Sequence, residues 1–362
     1  PFVEGLSLKS VVSYDAENFQ GKAVNPPFNL YTYDESNDDF IVQKQRDGNA
    51  SITNDNSNFE ATTFQGYLTY DRTFNDDHYL SATTVIEKNS SFNRFANLRR
   101  LYSEFFTKDQ IRFADQLGQT SDGLENETAN FSYIGRLNYA YKGKYLIEGI
   151  ARYNGEYRYS DENKYDMFLN GSIGWRISEE NFIKNNIDWI SNLKLRASYG
   201  FVGEPEGIPF QNVAGYQIGS GGSYEFEDGV LTEGISTPPI TSPTLGWVEN
   251  RTVNLAVDLG LFKNRFNLTA EVYERLKDGI PARPSVALPN TFGAELAQEN
   301  LNSDVTQGLE LSVSYRDNIG QDFSYDVSAN FNYARTKRKY REGNGPFTNS
   351  MSQWRNQQNN RW

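Results

Sequence analysis

The 362 residues carry 47 acidic against 35 basic side chains, a net charge of −12, and a surface of that sign argues against a nucleic-acid partner. With no cysteine in the chain, disulfide scaffolds, thiolate metal sites and thiol catalysis are excluded. Mean hydropathy is −0.68 with 14% aromatic residues; no run reaches the roughly 18 apolar residues of a transmembrane helix. A barrel strand, however, needs apolar residues only at alternate positions and so crosses a membrane while remaining polar on average.

Period-two alternation is the dominant signal, in segments longer than the usual five or six residues of a soluble strand. In chain order, strands are expected near 5–14, 61–74, 78–87, 131–141, 144–157, 166–177, 192–201, 248–260, 264–276, 305–316 and 321–334. In the fourth, Phe131, Tyr133, Leu137, Tyr139 and Tyr141 share a face; in the seventh, Leu193, Leu195, Ala197 and Tyr199 alternate with Lys194, Arg196 and Ser198. Val253, Leu255, Val257 and Leu259 repeat the pattern. The last strand is the clearest: Phe323, Tyr325, Val327, Ala329, Phe331 and Tyr333 form one apolar face against Ser324, Asp326, Ser328, Asn330 and Asn332.

Connections alternate in length. Long or medium polar segments (15–60, 88–130, 158–165, 202–247, 277–304) alternate with compact turns at Asn75–Asp77, Lys142-Gly143, Ser178–Ser191, Lys263 and Asp317–Gly320. That is the signature of an up-and-down antiparallel barrel in an outer membrane, with short periplasmic turns and long extracellular loops. Lipid offers backbone groups no hydrogen-bond partner, so strands survive there only in a closed sheet. About 11 strands are too few for a barrel that holds a plug, which takes about 22. The chain therefore reads as half a wall. Both ends read as cut: Pro1 follows no signal peptide, and Met351–Trp362 (MSQWRNQQNNRW) lacks alternation.

Catalysis finds little support. The single histidine, His78, sits beside a turn, and Glu179-Glu180 and Asp38-Asp39 are adjacent residues rather than carboxylates facing one bond. Asp34–Asp39 (DESNDD) and Ser160–Asp166 (SDENKYD) are oxygen-rich but lack calcium-loop spacing; no metal or cofactor is expected. Gly219–Gly222 (GSGG) reads as a loop tip. Candidate ligand contacts are instead loop aromatics outside the apolar stripes: Tyr31 and Tyr33, and above all Tyr157, Tyr159, Tyr224 and Phe226, whose rings suit stacking on sugars or peptide side chains. Loop packing is the competing role for each.

A resemblance sharpens this reading. YLTYDRTFNDDHYL (Tyr67–Leu80), RLNYAYKGKYLIEGIARYNG, the RYNGEYRYSDENKYDMFLNGSIGWRISEENFI that overlaps its end (Arg152–Ile183), NLKLRASYG (Asn192–Gly200), WVENRTVNLAVDLGLFKNRFNLTAEVYERLKDGI, and the pair TQGLELSVSYR and FSYDVSANFNYARTK follow one another along the chain. In that order they resemble the barrel of SusC/RagA-type TonB-dependent outer-membrane transporters, from about Val3 to Lys339. Departures occur at Phe168-Leu169-Asn170, where the family commonly has Phe-Pro-Ser, and at Phe201–Ile208, where a Thr-Gly-Asn turn is usual; both lie toward the loops.

The resemblance implies that residues 1–362 are one partial barrel, with the plug and the TonB-contacting segment outside it. It implies import of oligosaccharides or oligopeptides, without enzymatic chemistry. The implied partners are a SusD-like surface lipoprotein, TonB and outer-membrane lipid, in a Gram-negative, Bacteroidetes-like bacterium. A siderophore- or cobalamin-type receptor, or a non-transporting binding or adhesion barrel, remains the alternative. Gly174, Trp175, Arg176, Ser178, Glu179, Glu180 and Phe182 carry over as a structural strand end and periplasmic turn, with Trp175 beside Ile173 and Ile177 on the apolar face and an Arg176–Glu180 pair tying the turn.

Overall fold

A computed structural model describes residues 3–26, 28–46, 50–101, 109–218, 224–227, 230–232, 234–236, 238–286, 289, 293–320 and 322–343. Gly219–Gly222 and Met351–Trp362 lie outside the described residues. The strands in chain order are β1 (Leu6–Asn25), β2 (Phe28–Asp34), β3 (Asp39–Arg46), β4 (Ser51–Phe74), β5 (His78–Leu101), β6 (Thr120–Tyr141), β7 (Tyr145–Glu156), β8 (Tyr165–Arg176) and β9 (Ile190–Glu204). Then come β10 (Gln217–Ile218), β11 (Tyr224–Glu227), β12 (Val230–Thr232), β13 (Ile235–Ser236), β14 (Val248–Leu261), β15 (Phe266–Ala282), β16 (Glu299–Ile319) and β17 (Phe323–Tyr340). The helical content is slight: single 3₁₀ turns at Ile111–Phe113 and Ile177–Glu179, and the four-residue α1 (Asn181–Lys184).

Eleven strands form one sheet in the order β1-β4-β5-β6-β7-β8-β9-β14-β15-β16-β17. Sequence neighbours pair with sequence neighbours once the small hairpins β2–β3, β10–β13 and β11–β12 are set aside as loop insertions. This is the up-and-down wall that the alternating loop lengths predict, and the sheet is open. The strands expected near 248–260 and 192–201 differ from β14 and β9 by three residues at most.

Several expected loops are corrected. Residues 15–25 and 51–60 belong to β1 and β4, 88–101 and 120–130 to β5 and β6, and β15 and β16 extend into the supposed loop 277–304. The extensions lack a regular apolar alternation, most plainly in the polar Thr120–Asn130 (TSDGLENETAN). Alternation marks only the part of a strand with lipid on one side; a strand standing in water pairs its backbone without that pattern.

The chain divides into two compact units, one comprising Pro1–Lys9, Gly66–Ile86 and Phe131–Trp362, the other Ser10–Gln65 and Glu87–Asn130. The second unit is a polar ladder. Asn97 Nδ2 donates to Asp55 at 2.5 Å, Arg94 Nε to Glu125 at 2.7 Å and Lys22 Nζ to Asp109 at 3.1 Å. Ser91 and Thr128 share a hydrogen bond of 2.7 Å. The β2–β3 hairpin, which contains Tyr31 and Tyr33, turns at Asp34–Asp39. There Asp34 accepts hydrogen bonds from Ser36 and Asn37; its carboxylate closes the turn.

In the first unit the compact turns are tied to one another. Lys142 N–H donates to Asp77 O (2.7 Å), Arg176 N–H to Lys144 O, Phe262 N–H to Trp189 O and Arg316 N–H to Arg265 O (2.8 Å each). Gly143, at φ 65°, supplies the left-handed position of its turn. The largest buried side chains of this unit are not in the middle of the wall. They lie at the opposite, long-loop end, around Tyr159, Phe168, Leu245 and Val248.

Candidate functional site

Register decides which side chains share a face, because directly paired residues of antiparallel strands project the same way. Across β7 to β17, Ile147 pairs with Ile173, Ile173 with Ala197, Ala197 with Leu255, Leu255 with Val272, Val272 with Leu309 and Leu309 with Tyr333. The next row toward the turns runs Tyr145, Trp175, Leu195, Val257, Ala270, Leu311, Phe331. A continuous apolar band results, and most of it is exposed. Aromatic pairs flank it: Tyr153 and Tyr165 stack at 5.5 Å toward the loops, and Tyr141–Tyr145 and Tyr315–Tyr325 lie at 6.3 and 6.0 Å toward the turns. Girdles of this kind mark the two membrane interfaces.

The opposite face is polar and internally paired. Arg196 on β9 reaches Asp258 on β14 through two hydrogen bonds of 2.7 and 3.1 Å and lies 3.6 Å from Glu271 on β15. Thr269 and Asn254 donate to the same two acids. Arg136 Nε holds Glu148 at 2.9 Å. In strands of this spacing such charges face a watery lumen rather than lipid, where each would cost about 2–4 kcal/mol. Sequence alone marks these residues as the polar face; their pairing needs the register.

Above the band, the loop ends of β7–β9 and β14–β16 pack into a cap. Glu156, 2% exposed, is held by Arg158 Nε at 2.9 Å, and Arg158 also donates to Pro205 O. Phe168, 1% exposed, stands edge-on to Trp247 at 5.4 Å and covers Gly203, where a Cβ would fall 1.9 Å from the ring. The phenyl ring of Phe168 thus fills the cap's centre, and the departure from Phe-Pro-Ser lies in the two residues after it, of which Leu169 is exposed.

Two of the four candidate loop aromatics belong to this cap. Tyr159 is corrected as a stacking platform, being only 4% exposed. Its hydroxyl donates to Glu206 O at 3.1 Å and accepts the Glu206 N–H at 3.0 Å, and its ring stands edge-on to Trp247. Burial pushes its hydroxyl pKa up to about 12. Tyr157 is half-buried against Phe210, 5.7 Å away, with the Arg158 guanidinium over its ring. Tyr224 and Phe226, on β11, remain 64% and 75% exposed and make a T-shaped pair at 4.9 Å. The four are therefore not one constellation.

The turn motif gathers around Glu180. Its carboxylate accepts hydrogen bonds from Tyr145 Oη (2.7 Å), Trp175 Nε1 (3.2 Å) and Lys144 Nζ (3.2 Å). In that order, these donors hold it below the usual glutamate range. The expected Arg176–Glu180 pair is not made. Arg176 is one residue beyond Trp175 and so points to the other face, where Nη1 reaches Gly143 O at 3.4 Å. Glu179 pairs with Lys184 at 2.9 Å, Ser178 is buried, and Phe182 is exposed. Gly174 lies among Lys194 and Leu146 on the polar face. Trp175 shares the apolar face with Ile173, whereas Ile177 has already left the strand for the 3₁₀ turn.

His78 Nδ1 lies 2.7 Å from Tyr139 Oη in a turn-side aromatic cluster, with no nucleophile among its hydrogen-bond partners. Among the described residues, no group of three or more acidic or histidine side chains is placed to hold a metal.

A lipid-facing band with two aromatic girdles, a charged face behind it, tight turns at one end and packed loops at the other define the wall of an outer-membrane β-barrel. The chain belongs to the TonB dependent receptor-like, beta-barrel family, whose model matches residues 6–360. TonB-dependent receptor P3 of Formosa agariphila is 28% identical over 341 residues, covering 93% of this chain and 32% of P3. TonB-dependent receptor SusC of Bacteroides thetaiotaomicron is 30% identical over 204 residues, 56% of this chain and 20% of SusC. The structure of the RagAB peptide importer in its open-open state superposes with a TM-score of 0.78 at 19% identity, covering 96% of this chain and 36% of that one. At that identity the likeness speaks to the fold alone. The chain spans a third or less of the length of these curated relatives.

Proposed function

We propose that this chain forms half the wall of a TonB-dependent importer for oligosaccharides or oligopeptides in the outer membrane of a Bacteroidetes-like bacterium. It works with a SusD-like surface lipoprotein that closes over the loops and with TonB acting through a plug. The observation that carries this reading is the two-faced register of β7–β17: a lipid band on one side, and on the other a polar lumen face that can line a passage. The RagAB peptide importer has this fold, which fits the peptide arm of the reading, and the relative TonB-dependent receptor SusC fits the TonB-driven step. β1 and β17 each pair on one edge only among the described residues. In lipid their free backbone groups demand further strands, which fits a piece of a larger barrel rather than a finished one.

The protein is a receptor and carrier rather than a catalyst in this reading. Deleting the full-length gene abolishes growth on one class of polysaccharide or peptide as sole nutrient, and restoring it recovers growth. Loss of growth only on ferric siderophores would move the protein to that class of receptor. Unchanged growth and uptake on every glycan, peptide and siderophore would leave a binding barrel without transport.

A further inference from the structure

On the lumen face, β7, β8, β9, β14 and β15 border an open cleft of about 570 Å³ lined by Ser198, Gly200, Thr252 and Arg275, with Glu148 and Glu204 also on its walls. Its floor is made of small side chains. Asn170 pairs with Gly200, Gly200 with Thr252 and Thr252 with Arg275, so the guanidinium stands at the end of a row with almost no bulk. On its far side Arg275 pairs with Thr306. Both cross-strand neighbours are uncharged.

The carboxylates on and around this cleft, Glu148 and Glu204 among them, are each already held by another side chain. Glu204 takes Lys277 at 2.9 Å and Asn250 at 3.2 Å, and Glu206 is bonded to the same lysine. Asp304 takes Arg341 at 2.6 Å, Glu271 takes Arg196, and Glu148 takes Arg136. Arg275 alone among these cations has no hydrogen bond or ion pair with the described residues, although it has neighbouring strands on both sides. A guanidinium offers five donors in a planar fork that matches a carboxylate bidentately. Ser198 and Thr252 line the same space and add neutral donors; the Asn250 amide gives one N–H to Glu204 and keeps its second.

We infer that Arg275 and this cleft form a subsite for a carboxylate group on the ligand, supplied either by a peptide C-terminus or by a uronic acid of an oligosaccharide. The inference rests on the import reading only for what brings a ligand into the lumen; binding is measured without transport.

The test uses the purified full-length receptor in detergent, as wild type, Arg275→Gln and Arg275→Lys. The probes are a pool of random tetrapeptides as free acids and as C-terminal amides, and tetragalacturonate with its methyl ester. Wild type binds one of the two acids at least about tenfold more tightly than its neutral counterpart, the scale of one charge-assisted contact; which acid does so names the source. Arg275→Gln removes that preference by bringing affinity for the acid down to that for its neutral form, while Arg275→Lys keeps part of it. Wild type that treats acid and neutral forms alike, or binds neither, overturns the subsite, as does a preference that survives Arg275→Gln. Heat-modifiable mobility on gels confirms that each variant is folded. A preference found in a protein whose deletion has no growth phenotype would sink the import reading and leave the subsite standing.

Discussion

At the scale of single residues, converging hydrogen bonds matter more than burial. Glu180 is the clearest case, with three side-chain donors converging on one carboxylate at the turn end. Because its folded pKa is lowered, its contribution to stability is present above the ordinary glutamate value of about 4.3 and is lost as pH falls through the lower folded value. Thermal unfolding of the full-length protein between neutral pH and pH 3 should show this loss, and Glu180→Gln should flatten it while lowering stability at neutral pH. An unchanged profile in the variant would mean that the three donors contribute nothing measurable.

Tyr159 shows how far a single residue can be read from sequence. Its type and its place in a loop made it a candidate for stacking, yet the chain folds back through Glu206 and Trp247 to enclose it. Those partners are distant in sequence, and nothing near Tyr159 announces them. Arg275 escaped notice for the same reason. As one more cation on a polar face it was unremarkable, and only the register reveals that Thr252 and Thr306, rather than acids, stand beside it.

At the scale of elements, the strand is the unit that sequence describes best, and only over the length that meets lipid. β14 and β9 were legible nearly to their ends because Val253, Leu255, Val257 and Leu259 face Tyr199, Ala197, Leu195 and Leu193 without a break. β4, β5 and β6 were legible only in their turn-side halves, since their loop-side halves lack the regular apolar alternation of a lipid-facing strand. The same contrast fixes a mutational expectation. Leu255→Arg places a cation in the middle of the apolar band and should cost about 2–4 kcal/mol in stability. Asn254→Gln, one residue away on the lumen face, should cost well under half as much. Unfolding in lipid vesicles, followed by tryptophan fluorescence, checks both; equal costs would contradict a lipid face on the odd-numbered residues of β14.

At the scale of the whole molecule, family, sheet order and loop-length alternation all point to a wall with one oily and one watery side. The absence of cysteine from the chain makes this directly measurable. Single cysteines at each position from Thr252 to Leu259 of β14 in the otherwise cysteine-free wall of the full-length receptor would carry nitroxide spin labels in lipid vesicles. Collision with dissolved oxygen, which concentrates in lipid, should peak at 253, 255, 257 and 259, and collision with a water-soluble nickel complex at 252, 254, 256 and 258. Loss of that two-residue alternation, or its reversal, would contradict the membrane-wall assignment on which transport, lumen and carboxylate subsite alike depend.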